Sequence, residues 1–199
     1  MKTIDRQVFY RSFRRKLTAL CGRQTAERIW NSADREYCHI LRENPGLRKH
    51  KGAMVLPAVA LYRAMKAEGL DAEKLLNSWG DETGRKLASM VHVLTGIPGL
   101  PGLLWNNMER IADMMSSEKN GYRRRLVSEP PGMYGVDILS CPYHNLAKLM
   151  GEEKAVLCIC HMDKAYMKGF RKIRYERGTA VSEGAPYCDY RLRFDPEKE

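Results

Sequence analysis

Apolar residues over the first 115 positions recur at helical spacing. Phe9, Phe13, Leu17 and Leu20 share one stripe, which predicts a helix from about Asp5, a favourable N-cap, to a stop at Gly22. A second helix is predicted from about Thr25 toward Arg42, with Ile29, Trp30, Ala33, Tyr37 and Ile40 on one face. Asn44-Pro45-Gly46 marks a turn, and Met54 to Lys66 reads as a third helix containing Pro57. Asp71 caps a fourth pattern through Leu75, Leu76, Trp79, Leu87, Met90 and Val91. Thr95 to Gly102 holds two prolines and three glycines. It reads as a connector carrying apolar side chains, either packed or walling a ligand pocket. Leu104 to Met115 resumes helical spacing.

The period changes after residue 120. Tyr134, Val136 and Ile138 alternate as in a strand, and Pro142 opens a helix reaching about Met150, stopped by Gly151. Ala155 to Cys160 reads as a short buried strand, Met162 to Phe170 as a short helix, and Ile173 to Val181 as a strand. A turn at Glu183 to Pro186 returns the chain through a last strand, Tyr187 to Phe194. Arg123-Arg124-Arg125 reads as a charged linker. Helices first and strands later predict an α+β fold. A helical N-terminal half packs on a small mixed or antiparallel sheet, with two helices in the C-terminal part. The expectation is a single domain over 1–199, divided into a helical part (1–125) and an α/β part (126–199).

Composition adds limits. A chain of 199 residues, 44% hydrophobic and 29% charged, can bury a core without disulfide staples. No apolar stretch is long enough to span a bilayer, and the start lacks an apolar leader, so a cytoplasmic location and no membrane partner are expected. The net charge of +10 is uneven: residues 1–51 carry +8, residues 52–120 carry −1 and residues 121–199 carry +3. Arg11, Arg14, Arg15 and Lys16 interleave with the first apolar stripe, as on the wet face of an amphipathic helix. A nucleic-acid partner is not expected.

Six cysteines without an export signal argue against a disulfide framework. Cys21 and Cys38 read as packing. Cys141 and Cys160 each end a predicted strand where a helix begins, and free N–H groups there stabilise a thiolate. Asp163 falls in the first turn of the helix after Cys160. On the last strand Cys188 aligns with Tyr190, Leu192 and Phe194, whereas Asp189 aligns with Arg191 and Arg193 as an ion-pair partner. Cys141-x-x-His144 and Cys158-x-Cys160-His161, with Cys188, also offer soft ligands to a transition metal. Paired C-x-x-C knuckles are lacking, as are serine-hydrolase, P-loop, dinucleotide and HExxH signatures.

Cys141-Pro142-Tyr143, Cys160-x-x-Asp163, Arg177-x-Thr179, Gly184 and Cys188-Asp189-Tyr190-Arg191 occur in the order seen in the L-2-amino-thiazoline-4-carboxylic acid hydrolases. The stretch from Cys141 to Phe194 resembles that family of bacterial and archaeal cytoplasmic proteins. The resemblance implies a hydrolase that opens a small cyclic amidine at a C–N bond with water, giving N-carbamoyl-L-cysteine. It points to Cys160, Asp163, Cys188 and Asp189 as the site, with Cys141 beside it. In that picture Cys160 is the nucleophile and Asp163 or Asp189 moves protons. Arg177, Arg191 and His144 would bind a small-molecule substrate. The rival reading is a non-catalytic small-molecule or metal-binding module, since the family is distantly similar to vinyl-reductase and haem-nitric-oxide-binding domains. No cofactor is required by the first reading, and the oligomeric state is left open.

Overall fold

The apolar stripes of the N-terminal half close around aromatic rings. In the computed structural model, which describes residues 3–48, 52–127 and 130–198, the chain forms two compact units. One comprises Met1–Trp79 with Asn145–Cys158, the other Gly80–His144 with Ile159–Glu199. Both the helical half and the motif-bearing half of the sequence are therefore shared between the units.

The first unit is helical. Short 3-10 turns at Ile4–Arg6 and Val8–Tyr10 lead into α1, Arg11–Glu43. Asp5 does not cap a helix. Its Oδ1 instead accepts from Trp30 Nε1 at 2.9 Å, a tertiary partner that outcompetes the local cap. Gly22, at φ +77°, breaks the helical geometry inside α1, so the expected stop is a kink within a continuing run. The helix α2, Gly52–Ala67, is buried along most of its length, and α3, Ala72–Leu94, begins in this unit. Tyr10 stacks on Trp79 at 5.0 Å, with Phe9 and Phe13 edge-on to the same indole. The polar tips of these rings are satisfied: Tyr10 donates to the Met54 carbonyl at 2.6 Å and Trp79 Nε1 to Ser12 Oγ at 2.9 Å. Part of the basic excess is neutralised locally, Arg14 pairing with Asp5 and Glu27, and Arg28 with Glu68.

The second unit is α+β. It holds the rest of α3, α4 (Leu100–Asn106), α5 (Met108–Ser116), most of α7 (Leu157–Tyr166) and a four-stranded antiparallel sheet. The strands are β1 (Arg123–Val127), β2 (Met133–Ser140), β3 (Ile173–Glu176) and β4 (Cys188–Phe194), in the order β1-β2-β4-β3. The helix α6, Pro142–Leu149, begins right after Cys141, as its proline predicts. In the connector only Thr95 to Gly99 is irregular; Gly99, at φ +82°, turns the chain into α4, and Pro101 sits in its first turn.

Three expectations need correction. Arg123–Arg125 is not a linker but the start of edge strand β1, paired with β2. The strand expected over Ile173–Val181 stops at Glu176, after which the chain turns Arg177 inward. Ala155–Cys160 is not a strand. Glu153–Val156 forms a 3-10 turn and α7 starts at Leu157. A short apolar run fits a buried helix turn as well as a strand. Here Ala155, Cys158 and Met162 fall at helical spacing and are buried.

Register sorts the sheet into two faces. Val136 opposes Tyr190, Tyr134 opposes Leu192, and Ile138 opposes Cys188 across β2 and β4. Tyr175 opposes Leu192 across β3 and β4. These side chains form the apolar face, with Leu104, Met108, Met167 and Phe170 packed on it. The alternate positions put Asp137 on the other face, where its buried carboxylate accepts from Arg125 at 2.7 Å and Arg191 at 2.9 Å.

Candidate active site

The apolar face of the sheet does not pack solid. Between it and α4, α5 and α7 lies a cavity of about 390 Å³, lined by residues of the second unit alone. Its walls are Leu, Ile, Met, Phe and Tyr side chains, and into them α7 delivers one carboxylate, Asp163.

Asp163 is tethered through one oxygen. Tyr190 donates to Oδ2 at 2.7 Å and Arg177 Nη1 to the same atom at 3.3 Å. Oδ1 accepts no hydrogen bond among the described residues, and the side chain stays 28% accessible. Burial raises the Asp163 pKa above the ordinary carboxylate value, and the hydrogen bond from Tyr190 and the charge of Arg177 only partly oppose it.

Arg177 is the inner support. Its side chain is 3% exposed. Its other bonds run from Nη1 to Tyr190 Oη at 3.0 Å and from Nη2 to the Cys160 carbonyl at 3.1 Å. The guanidinium also lies over the Tyr190 ring at 5.5 Å. Three of its five N–H donors serve this network, and it does not line the cavity.

The thiols stand around this network rather than in the cavity wall. Cys160 is the fourth residue of α7, not a residue ahead of a helix start, so the expected helix N-terminus does not act on it. Its Sγ lies 3.1 Å from Ser182 Oγ, and burial pushes its pKa up to about 12. Cys141 does precede a helix, and backbone N–H groups of His144 and Tyr143 reach its sulfur. Burial is the larger effect and raises its pKa too. Cys188 accepts from the Val181 N–H at 3.2 Å and is likewise raised by burial. All three thiols feel the charges of Asp163 and Arg177. At neutral pH they are thiols, not thiolates.

The remaining candidates lie elsewhere. Asp189 is on the opposite face of β4 from Cys188, as the alternation predicts, but its partner is not an arginine. Its Oδ1 accepts from Thr179 N at 2.6 Å and Thr179 Oγ1 at 3.0 Å. Although burial acts upward, these bonds hold the carboxyl below its usual range. Arg191 points to Asp137, away from the cavity. His144 contributes its backbone beside Cys141. His161 Nδ1 lies 3.1 Å from Asp81 Oδ1, both lining a separate groove of about 740 Å³. Among the described residues no three His, Cys, Asp or Glu side chains gather to hold a metal. No helix among them is long and apolar enough to cross a membrane.

Sequence reasoning overlooked the tyrosines. Tyr122, Tyr134, Tyr143, Tyr166 and Tyr190 all line the cavity. Seven of the ten tyrosines fall between residues 122 and 190, and that concentration was the available signal.

The L-2-amino-thiazoline-4-carboxylic acid hydrolase family model matches residues 48–192. No curated protein matches. Among solved structures, an H-NOX protein from S. oneidensis in the Fe(II)NO ligation state is 14% identical. It aligns over 98% of this chain and 99% of its own, with a TM-score of 0.40. An Fe(II) unliganded H-NOX protein from K. algicida is 9% identical over 98% and 97% of the two chains, at a TM-score of 0.37. A trafficking protein particle complex subunit 3 from Naegleria fowleri, covalently bound to palmitic acid, is 11% identical over 71% and 95%, at 0.35.

Proposed function

The chain belongs to the L-2-amino-thiazoline-4-carboxylic acid hydrolase family, and from that premise we propose that it opens a small cyclic amidine with water, using Asp163 as the proton-transfer group. The observation that carries this reading is the Asp163 carboxylate in the cavity wall, fixed through Oδ2 with Oδ1 unengaged. Oδ1 takes one proton from water as the water oxygen bonds to the amidine carbon and the C=N electron pair moves onto nitrogen. The second water proton passes from the new hydroxyl to that nitrogen as C=O forms, the bond to the leaving ring atom breaks, and the carboxyl returns its proton to that atom. A product keeping nitrogen on that carbon, such as N-carbamoyl-L-cysteine, requires the ring C–S bond to break rather than the C–N bond. A carboxyl with a raised pKa suits this exchange better than an ordinary exposed one. Arg177 and Tyr190 act as positioning residues. The protonated state of Cys160 favours water over a cysteine nucleophile.

The test is turnover of 2-amino-2-thiazoline by wild type, Asp163→Asn and Cys160→Ala. Asp163→Asn loses at least about a hundredfold in kcat, the usual contribution of a positioned acid–base group, while Cys160→Ala stays within about tenfold of wild type. Equal rates in wild type and Asp163→Asn overturn the reading. The apolar lining favours a second one, a non-catalytic binder of small molecules. Binding of a cyclic amidine without turnover selects it.

A further inference from the structure

The cavity has a charge signature that bears on what enters it. Asp163 is the sole carboxyl among the described lining residues, and an entering cation would favour its charged form. The tyrosines are neutral there; burial raises Tyr122, Tyr143 and Tyr190, and takes Tyr166 to about 12. No lysine, arginine or histidine lines the wall. Arg177, behind the wall and 3% exposed, directs three N–H groups to Asp163, Tyr190 and the Cys160 carbonyl. An entering carboxylate would lose its water, meet no cation in the wall and oppose the charged form of Asp163. An entering N–H donor would meet Asp163 Oδ1 and the π-faces of the tyrosines, both attractive to a positive group. Beyond Asp163, Ser116 and the tyrosines, the lining is apolar, with Met108, Ile111, Met115 and Phe170.

We infer that the cavity selects an organic cation of the amidine or amine class with an apolar body and turns carboxylates away. The inference builds on the proposed function by narrowing the substrate class of the same site. It departs from the substrate in the family's description, which carries a carboxylate.

Benzamidine, benzamide and benzoate have nearly the same shape and carry positive, zero and negative charge. Calorimetric titration of the full-length protein at pH 7 is expected to show benzamidine binding at least tenfold more tightly than benzamide, with no saturable binding of benzoate. Asp163→Asn, checked for a wild-type circular dichroism spectrum, erases the preference for benzamidine over benzamide. In wild type, benzamidine also shifts the carbon-13 resonance of the Asp163 carboxyl, which keeps the test independent of the variant's folding. Benzoate binding as tightly as benzamidine, equal affinities for benzamidine and benzamide, or an unmoved Asp163 resonance each overturn the inference. Failure of the proposed hydrolysis is read separately: benzamidine selectivity without turnover of any cyclic amidine leaves the charge preference standing and removes the reaction.

Discussion

Replacing Tyr190 by Phe removes one oxygen and leaves the ring in place, 5.7 Å from Tyr175. That oxygen donates to Asp163 Oδ2 at 2.7 Å and accepts from Arg177 Nη1 at 3.0 Å, so both charged partners lose a bond in a buried setting. At a pH where Asp163 is ionised, the loss is that of a hydrogen bond to a charged group, about 1.5–3 kcal/mol. Where Asp163 is protonated the bond is neutral and the loss falls to about 0.5–1.5 kcal/mol. The pH dependence has a definite sign. The folded pKa of Asp163 is raised above the unfolded value of about 3.9. Its contribution to stability is therefore fullest below about pH 4 and is lost as pH rises through the folded pKa. Tyr190→Phe deletes a bond that opposes the rise. The carboxyl climbs by about one further unit for each ~1.4 kcal/mol separating the charged from the neutral bond, and the decline deepens. Urea unfolding of both proteins at pH 4 and pH 8 measures the two losses, and a carbon-13 titration of the Asp163 carboxyl reads the pKa directly. A destabilisation equal at the two pH values, or a carboxyl titrating at the same pH in both proteins, refutes the tether.

Two further outcomes follow from other residues. With its pKa near 12 in place of 9, Cys160 alkylates with iodoacetamide at pH 8 roughly a thousandfold more slowly than an unshifted thiol, in proportion to its thiolate fraction; peptide mapping that finds it among the fast-labelling cysteines restores the nucleophile. Asp137→Ala destabilises the fold by about 2 kcal/mol, less than the ~3–5 kcal/mol of a fully buried pair because Arg125 and Arg191 reach solvent. Although burial acts upward on Asp137, its two arginines hold the folded pKa below the usual range, so its contribution is present above about pH 4 and is lost as pH falls through the folded pKa. Unfolding curves of wild type and variant that fail to converge in acid count against this pairing.

Residues whose environment is set by near neighbours were readable from the chain. Pro142 and Gly151 bracket a helix because proline suits a first turn and glycine a stop. The two-residue alternation of β4 placed Cys188 on the buried face and Asp189 on the other. Residues whose partners come from far along the chain were not readable. Ala155 to Cys160 has the same apolar character in either conformation, and only the packing of Cys158 and Met162 decides for the helix. Arg177 looks like a solvated strand residue until Asp163, fourteen positions away, and Tyr190, thirteen away, are brought to it. The Cys160-x-x-Asp163 motif drew attention to the turn of α7 that reaches the cavity, and of its two members the carboxyl, not the thiol, lines the wall. The thiol is buried against Ser182, and the carboxyl opens to the cavity.

The outer strand β1 has a bearing on how the molecule behaves in a crowded solution. A strand at the margin of a sheet offers unpaired backbone donors and acceptors, and a second chain can extend it. β1 is such a margin, and its Leu126 is 61% exposed, which invites that addition. The same strand carries Arg123 and Arg125, both exposed, and Arg124, held to Asp113. An incoming strand would have to strip water from these cations while meeting three like charges on any copy of itself. The arginine triplet thus discourages edge-to-edge aggregation while Arg124 and Arg125 also tie β1 to Asp113 and Asp137.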